Sequence, residues 1–541
     1  MAKQQAVIRQ IWMVSREYGN LAGAGGVKDV VSQLSVILAR RPGCSVHVVL
    51  PCYGFMNPEQ SGFQLLVDPL QPDVHLSFDV DLNYPDEERR EQIQVWTAVK
   101  DSVHIYLLDA ERFREKQNVY TYTAEEEASQ SWKKKGEGHV DYFAMNILLQ
   151  KGTLDLMVLL DVHPDVIHCH DGHTAILPAM VSEYAGLRHY FRSTGCVVTI
   201  HNAGKGYHQE IADLEFAHAS TGLPMSFISD SILEDNFDPF LAGASFSVMN
   251  TVSENYAREL RETFDDRLTG WLGHVLMDRG VVLGGVTNGI DPDSFSATDH
   301  VKTGIAAPFD PLGTAPLEGK RECKNALLRQ LSGDGEIPGI HQSGFLDPDF
   351  SVPLVTFIGR LSAQKGVTVL TEAIRRLLEE DTDFQFLLLG TGSRHDEKEL
   401  MDLAEKKENL GRVCILRGFD TLLANKVYAA GDFFVIPSQY EPCGLTDFMA
   451  QLFGNLPIVH SVGGLVKVVD GETGFSYEKQ SISELYQAIR RALQLYANDP
   501  SAIRKMQSKA VKLINKRYTW DNVSRKYLEL YRESKDLKLK K

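Results

Sequence analysis

Apolar positions along the chain follow two alternating rhythms. Short, nearly uninterrupted apolar runs recur at Ile11-Trp12-Met13-Val14, Val46-His47-Val48-Val49-Leu50, Val103-His104-Ile105-Tyr106-Leu107-Leu108, Val166-Ile167-His168 and Val197-Val198-Thr199-Ile200. They resume at Leu354-Val355-Thr356-Phe357-Ile358, from Phe384 to Leu389 and at Phe433-Phe434-Val435-Ile436. Such runs predict short buried strands. Between them, Val27 to Arg40 and Val367 to Glu380 carry apolar residues at spacings of three and four, the pattern of a helix with one buried face. Continuous apolar strands alternating with amphipathic helices predict an α/β protein with parallel sheets covered on both faces.

At 541 residues the chain exceeds one ordinary core, so two or three domains are expected. The pattern weakens over 296–350, where Gly, Pro, Ala and Asp dominate. A helical piece, Lys320 to Leu331, interrupts that stretch, and Gly333 to Pro348 reads as loop. The predicted division is therefore an N-terminal domain over 1–300, a linker with an insertion over 301–350 and a C-terminal domain over 351–510. Beyond it, 511–541 is expected to form a helix packing across the domain junction, within a tail that reads as helical from Ile503 and ends in a basic run.

Composition narrows the functional classes. Lys+Arg 56 against Asp+Glu 72 gives a net charge of −16, which argues against nucleic acid as a partner but leaves room for a local basic pocket. The seven Cys include no CxxC pair, as expected of reduced thiols. No apolar run reaches the ~18–20 residues of a membrane span, and Met1 to Gln10 lacks the apolar core of a signal peptide. A cytoplasmic protein with no membrane partner is expected.

The chemistry concentrates where strands give way to helices. Arg360-Leu361-Ser362-Ala363-Gln364-Lys365 places two cations five residues apart on such a turn. Arg offers a planar fork and Lys a point charge, and both suit a diphosphate. Glu441-Pro442-Cys443-Gly444-Leu445-Thr446 sets a carboxylate beside a run of backbone N–H groups at another strand end. Sugar hydroxyls need such an acceptor, and a helix N-terminus suits an anion. In the first half, Glu17 and the turn Gly23-Ala24-Gly25-Gly26 follow the first strand. The strand ends His168-Cys169-His170-Asp171-Gly172-His173 and His201-Asn202 lie where parallel sheets gather ligands. His163, His168 and His170 also raise a metal site, but no second ligand cluster at matching spacing accompanies them. Gly25-Gly26-Val27-Lys28-Asp29-Val30 is echoed by Gly463-Gly464-Leu465-Val466-Lys467-Val468, and each Gly pair would let backbone approach a ligand before a helix. Cys443 reads as a small packed residue rather than a nucleophile.

Together these motifs resemble the retaining glycosyltransferases of the bacterial glycogen synthase and plant starch synthase family, from Glu17 to about Tyr531. The Glu-Pro-Cys-Gly-Leu-Thr and Arg-Leu-x-x-Gln-Lys-Gly segments carry most of the likeness, with Thr251-Val252-Ser253 and Asn288-Gly289-Ile290-Asp291 in matching order. The resemblance implies a GT-B fold, two Rossmann-like doubly wound parallel-sheet domains facing across a cleft. It implies glucose transfer from ADP-glucose or UDP-glucose to the non-reducing end of an α-1,4-glucan. Arg360 and Lys365 would hold the donor diphosphate, and Gly25 and Gly26 would bring backbone to the phosphates. Glu441 would accept from the donor sugar, aided by backbone at Cys443, Gly444 and Leu445. His201, with Asn202, would lie by the reacting carbon, while Asp171 and Asn288 would line the sugar and acceptor side. Glu17 would bind substrate, Thr446 would approach the ribose and Phe419 would stack on the base. No metal and no cofactor beyond the nucleotide sugar is implied.

One departure stands out. The family's Lys-Thr-Gly-Gly-Leu turn reads Gly23-Ala24-Gly25-Gly26-Val27 here, removing a cation from the expected phosphate cradle. A charge-assisted contact of that kind is worth about 1.5–3 kcal/mol, which leaves the donor base open. Lys28, five residues on, is expected inside the helix. Two other readings follow from the same residues: a GT-B transferase using another nucleotide sugar and acceptor, and a catalytically idle carbohydrate-binding relative.

Overall fold

The computed structural model describes residues 7–313, 317–333, 337–380 and 382–540. The chain divides into two units. Asn288 closes the first, which also takes the chain from Trp520 onwards, and Gly289–Thr519 form the second.

The first unit is built on a sheet of ten strands among the described residues. Its elements include β1 (Gln10–Val14), α1 (Val27–Ala39), β2 (Ser45–Pro51), β3 (Gln64–Leu65), β4 (Ser77–Asp81), β5 (Arg90–Lys100), β6 (Val103–Asp109), α2 (Ala124–Ser129), α3 (Tyr142–Leu159), β7 (Val166–His170), β8 (Gly195–Ile200), β9 (Val248–Thr251) and β10 (Gly284–Gly285). The strand order is β10-β9-β8-β7-β1-β2-β6-β5-β3, with β4 on β5. From β10 through β6 neighbours run parallel; β5 turns antiparallel on β6. Ile11 pairs with Val46 on one side and Val166 on the other. The apolar runs noted in the sequence are these central strands, buried on both faces. Helix α1 buries Val30, Val31, Leu34 and Leu38, the face its spacing of three and four predicts.

The second unit holds α4 (Glu318–Leu331), β11 (His341–Leu346), β12 (Leu354–Leu361), α5 (Val367–Glu379), β13 (Gln385–Gly392), β14 (Arg412–Arg417), β15 (Phe433–Ile436), α6 (Thr446–Leu452), β16 (Leu456–His460), β17 (Phe475–Tyr477) and α7 (Pro500–Arg517). Its sheet runs β11-β14-β13-β12-β15-β16-β17. All neighbours are parallel except β11 on β14.

Several expectations are corrected here. The division falls after Asn288, not near 300, and 301–350 carries elements of the second unit rather than a free linker. Helix α4 buries Cys323, Leu327, Leu328 and Leu331 in a core with Leu354, Leu387 and Phe434. Its Lys320 is also buried, donating to the carbonyls of Ala429, Gly431 and Phe453 at 2.9, 2.7 and 3.0 Å. Within the stretch read as loop, residues 341–346 form β11, pairing Ser343 with Ile415; residues 334–336 of that stretch lie outside the described residues. As an edge strand, β11 buries only Ser343 and Leu346, so it lacks a long apolar run. The tail is two helices rather than one. It breaks at Tyr518-Thr519, and α8 (Trp520–Lys540) belongs to the first unit. Helix α8 lies on β8: a Cβ on Gly195 would stand 2.3 Å from Ser534 Oγ. Its Tyr527 and Tyr531 are fully buried, and Tyr531 Oη is 3.0 Å from His168 Nδ1.

Candidate functional site

Each sheet has one place where the chain reverses its direction of strand addition, and ligands of open α/β sheets collect outside the strand ends there. In the second unit the chain builds β12, β13 and β14 outwards, then returns to place β15 on the other side of β12. The turns after β12 and β15 therefore flank the switch point. The first carries Lys365 and the second Glu441.

These two side chains meet. Lys365 Nζ lies 2.6 Å from Glu441 Oε2, and Ser438 Oγ donates to the same oxygen at 2.9 Å. Burial by itself would raise the Glu441 carboxyl, yet Lys365, the Ser438 hydroxyl and Lys467 hold it below its ordinary value. It is an ionised acceptor at neutral pH. Gly366, at φ +68, ends the Lys365 turn so close to β15 that a Cβ would stand 1.9 Å from Pro437 O. Only glycine permits that approach.

Arg360 is placed differently from expectation. Strand β12 runs on to Leu361, so Arg360 is a strand residue, in register with Thr391, and exposed. Cys443 and Gly444 are buried, and Leu445 and Thr446 are half-buried where α6 begins. Leu445, the N-cap of α6, provides no side-chain cap, so the first turn presents backbone N–H groups. Phe419 follows β14 and is 70% exposed, a large aromatic face left to solvent.

Sequence reasoning missed what holds this turn. Lys467 Nζ donates to Cys443 O at 2.6 Å, Gly444 O at 2.6 Å and Gly464 O at 3.0 Å, and pairs with buried Asp447 at 3.1 Å. Burial pushes the Asp447 carboxyl up to about 6 against the pull of Lys467. Two glycine turns interlock around it: a Cβ on Gly464 would stand 1.9 Å from Cys443 O, and one on Gly463 2.0 Å from Glu441 O. The Gly463–Lys467 segment is a single 3₁₀ turn, not the start of a helix like its echo at Gly25-Gly26. A lysine in a glycine motif was the only available signal.

In the first unit the switch point lies between β1 and β7, since β2 and β6 add on one side and β8 and β9 on the other. Glu17 and the glycine turn follow β1; Asp171 follows β7. Glu17 is buried and already engaged. It accepts from the backbone N–H of Ala24 at 2.8 Å and Gly25 at 3.0 Å, and from Tyr120 Oη at 2.6 Å. It shapes the turn that presents Gly25 and Gly26, both exposed at the start of α1. Lys28 is the second residue of α1, as expected. Its stem, however, doubles back over Gly23, where a Cβ would stand 2.2 Å from Lys28 Cδ, and its ammonium pairs with Asp29 at 2.7 Å.

Asp171 adopts φ 57 and is buried. Its Oδ1 accepts from the N–H of His201 at 2.6 Å and of Asn202 at 3.4 Å. Burial pushes its carboxyl up to about 8, with the charge of Glu17 adding to the rise. His201 is held neutral, its ring lowered to about 3 by burial, and its Nε2 lies 3.0 Å from His170 Nδ1. His168 contacts Thr199 and Tyr531 through its two nitrogens, and His163 stands exposed against Tyr190. Asn288 is buried, its Oδ1 without a partner among the described residues. Tyr120, 103 residues from Glu17, was not foreseen; nothing in its local sequence marks it.

A charged, glycine-rich turn at the switch point of each parallel sheet is the equipment of an enzyme that binds an anionic, hydroxyl-bearing ligand. Residues 10–274 match the family "Starch synthase catalytic domain", and residues 352–495 match "Glycosyl transferases group 1". The chain is 30% identical over 534 residues to the glycogen synthase of Geotalea uraniireducens (strain Rf4), covering 97% of this chain and 98% of that protein. It is also 30% identical over 537 residues to the glycogen synthase of Streptococcus agalactiae serotype Ia, covering 97% and 99%. Among solved structures it matches the catalytic domain of starch synthase IV from Arabidopsis thaliana bound to ADP and acarbose, with a TM-score of 0.77, 25% identity and coverage of 98% and 100%. Sucrose-phosphate synthase from Thermosynechococcus elongatus, at 18% identity and a TM-score of 0.53 over 97% and 98%, shares the fold. The chain belongs to the glycogen synthase and starch synthase family of glycosyltransferases, and its fold is GT-B. Among the described residues no helix is long and apolar enough to cross a membrane.

Proposed function

We propose that this protein transfers glucose from ADP-glucose to the non-reducing end of an α-1,4-glucan with retention of anomeric configuration. The observation that carries the reading is the Lys365–Glu441 pair at 2.6 Å beside the uncapped start of α6. It sets a cation for phosphate next to an ionised acceptor for sugar hydroxyls. Arg360, exposed at the end of β12, is a second cation for the diphosphate. Phe419 is the stacking face for the base and Thr446 stands by the ribose. Asp171, His201 with Asn202, and Asn288 take the sugar and acceptor, while Glu17 acts through the turn carrying Gly25 and Gly26.

In the reaction the bond from the anomeric carbon to the diphosphate oxygen breaks, and a bond to the acceptor oxygen forms on the same face. The acceptor proton passes to the departing diphosphate. Catalysis comes from stabilising the charge that develops on that diphosphate and from orientation. The reaction uses no cofactor beyond the nucleotide sugar and takes place in the cytoplasm, where seven free thiols are at home. The test is release of nucleoside diphosphate from a panel of nucleotide sugars with glycogen as acceptor. Release restricted to ADP-glucose and dependent on glycogen supports the reading; equal hydrolysis without a glucan would defeat it.

A further inference from the structure

The loop after β8 carries His201 and Asn202 away from the sheet and brings the chain back over Asp171. The return is close. A Cβ on Gly172 would stand 2.0 Å from His208 O, so the loop's end lies against the residue that follows Asp171. The loop's start is tied to Asp171 itself, through the N–H groups of His201 and Asn202. One imidazole joins the two ends. His208 Nδ1 lies 2.6 Å from Asp238 Oδ2, and its Nε2 lies 2.8 Å from Ala203 O. His208 and Asp238 are both buried, and Phe240 stands edge-on to the ring at 5.2 Å. Asp238 Oδ1 accepts from Leu241 N at 3.0 Å and so caps the helix Pro239–Ala244.

A buried His–Asp pair alone is a structural tie. This one differs in the ring's second bond. An ionised carboxylate and a backbone carbonyl only accept, so both ring nitrogens donate and the ring is an imidazolium. Burial draws the His208 pKa down, but the bonds to Asp238 and Ala203 and the charge of Glu210 outweigh it and carry it up to about 8. Asp171, beneath the loop, also feels the ring's charge. The doubly bonded ring is therefore complete below its ordinary 6.5 and is lost as pH rises through about 8. Losing the proton has a directed effect. Nδ1–H stays with Asp238, whose charge holds it. Nε2 is left as a bare lone pair facing Ala203 O. Ala203 is held on its other side, where its N–H donates to Tyr256 Oη at 3.2 Å, so its carbonyl is the part released. The opening falls one residue after Asn202.

We propose that His208 is a positioning residue for the transfer reaction: as an imidazolium it clasps the loop that sets His201 and Asn202 against Asp171, and its deprotonation releases that loop. The inference rests on the reading that these three residues take the sugar and acceptor. Asp238→Asn is the decisive variant. Its oxygen still caps Leu241, while its amide donates to Nδ1, so a neutral ring keeps Nε2–H on Ala203 O and the clasp no longer depends on pH. With glycogen as acceptor, kcat/KM of Asp238→Asn should match wild type at pH 7. The ratio of variant to wild type should then rise about tenfold by about pH 9.5. Taking the ratio cancels the titration of Asp171, which both proteins share. His208→Gln should lose about tenfold at pH 7 and approach wild type by about pH 9.5. An Asp238→Asn ratio that stays flat over this range would overturn the proposal. Nitrogen NMR of the imidazole rings, with the His208 signal assigned by its absence from His208→Gln, reads the clasp without turnover. Both nitrogens should be protonated in wild type at pH 7 and one in Asp238→Asn; a neutral wild-type ring would also overturn the proposal. Absence of transfer by the wild-type protein from every nucleotide sugar would defeat the proposed function, and the clasp is then decided by the ring titration.

Discussion

Lys365 and Glu441 come from turns 76 residues apart and meet at 2.6 Å, at the point where the second sheet reverses its order of strand addition. The pair fixes each partner before any ligand arrives. It also makes each dependent on the other, because Glu441 is largely buried and stays ionised through the charges around it.

Lys365→Ala should lower kcat by about 10²–10³-fold, the magnitude seen when one preorganised electrostatic group is lost from a transition state. Glu441→Gln should raise the donor KM as well, since it removes an ionised acceptor and leaves Lys365 without its partner. Steady-state release of nucleoside diphosphate reads both. Near-wild-type turnover in Lys365→Ala would remove the cation from the chemistry.

Lys467 tests architecture rather than charge on the ligand. Removing its ammonium takes the counter-charge from buried Asp447 and a donor from three carbonyls, and Lys467→Met should cost about 3–5 kcal/mol of stability. Adding Asp447→Asn should recover part of that loss, because no unpaired charge remains. The donor KM should stay raised in the double variant, since the turns at Cys443-Gly444 and Gly463-Gly464 have lost their common tie. Chemical denaturation and donor titration separate the two effects.

Asp171 gives a pH signature. Its carboxyl is raised from 3.8 to about 8, chiefly by burial. A raised folded pKa favours the protonated form, so its stabilising contribution is complete below pH 3.8 and is lost as pH rises through about 8. Asp171→Asn keeps an oxygen to accept from His201 and Asn202 but cannot ionise. The melting temperature of Asp171→Asn relative to wild type should therefore climb steadily from pH 4 to pH 8. A difference flat with pH would mean Asp171 is ionised throughout.

The fold was legible because its signal is redundant. Central strands such as Ile11–Val14 and Leu354–Ile358 are buried on both faces, so each is apolar along its length, and α1 and α5 show one buried face each. Strand β11 was not legible: an edge strand satisfies only part of one face, and Gly344 at φ +70 breaks its pattern further. At the site, Lys365 and Glu441 could be read because each is a charged residue on a short strand-to-helix turn. The partners of those turns could not. Tyr120 reaches Glu17 from 103 residues away, and Lys467 ties two glycine turns through carbonyls, which leave no trace in side-chain identity. The division after Asn288 was hidden because α8 leaves the second unit and joins the first, a return that depends on Tyr527, Tyr531 and the bare Cα of Gly195.

The swap of cations at the first glycine turn yields the last prediction. The family pattern would put a lysine at position 23; here that position is Gly23, and the stem of Lys28 occupies the space a side chain at 23 would take. The ammonium of Lys28 is half-exposed and, among the described residues, pairs with its neighbour Asp29, a surface contact worth little. It is free to leave Asp29 for a phosphate at the start of α1. If it serves that role, Lys28→Ala should raise the donor KM about tenfold with a smaller change in kcat, in line with about 1.5–3 kcal/mol for a charge-assisted contact. Gly23→Lys alone should gain little, because Lys28 already fills the space, whereas Gly23→Lys on the Lys28→Ala background should restore the KM. Donor affinity measured by calorimetry across the four proteins decides it: a Lys28→Ala variant that binds ADP-glucose as tightly as wild type shows that the turn works through its backbone N–H groups alone.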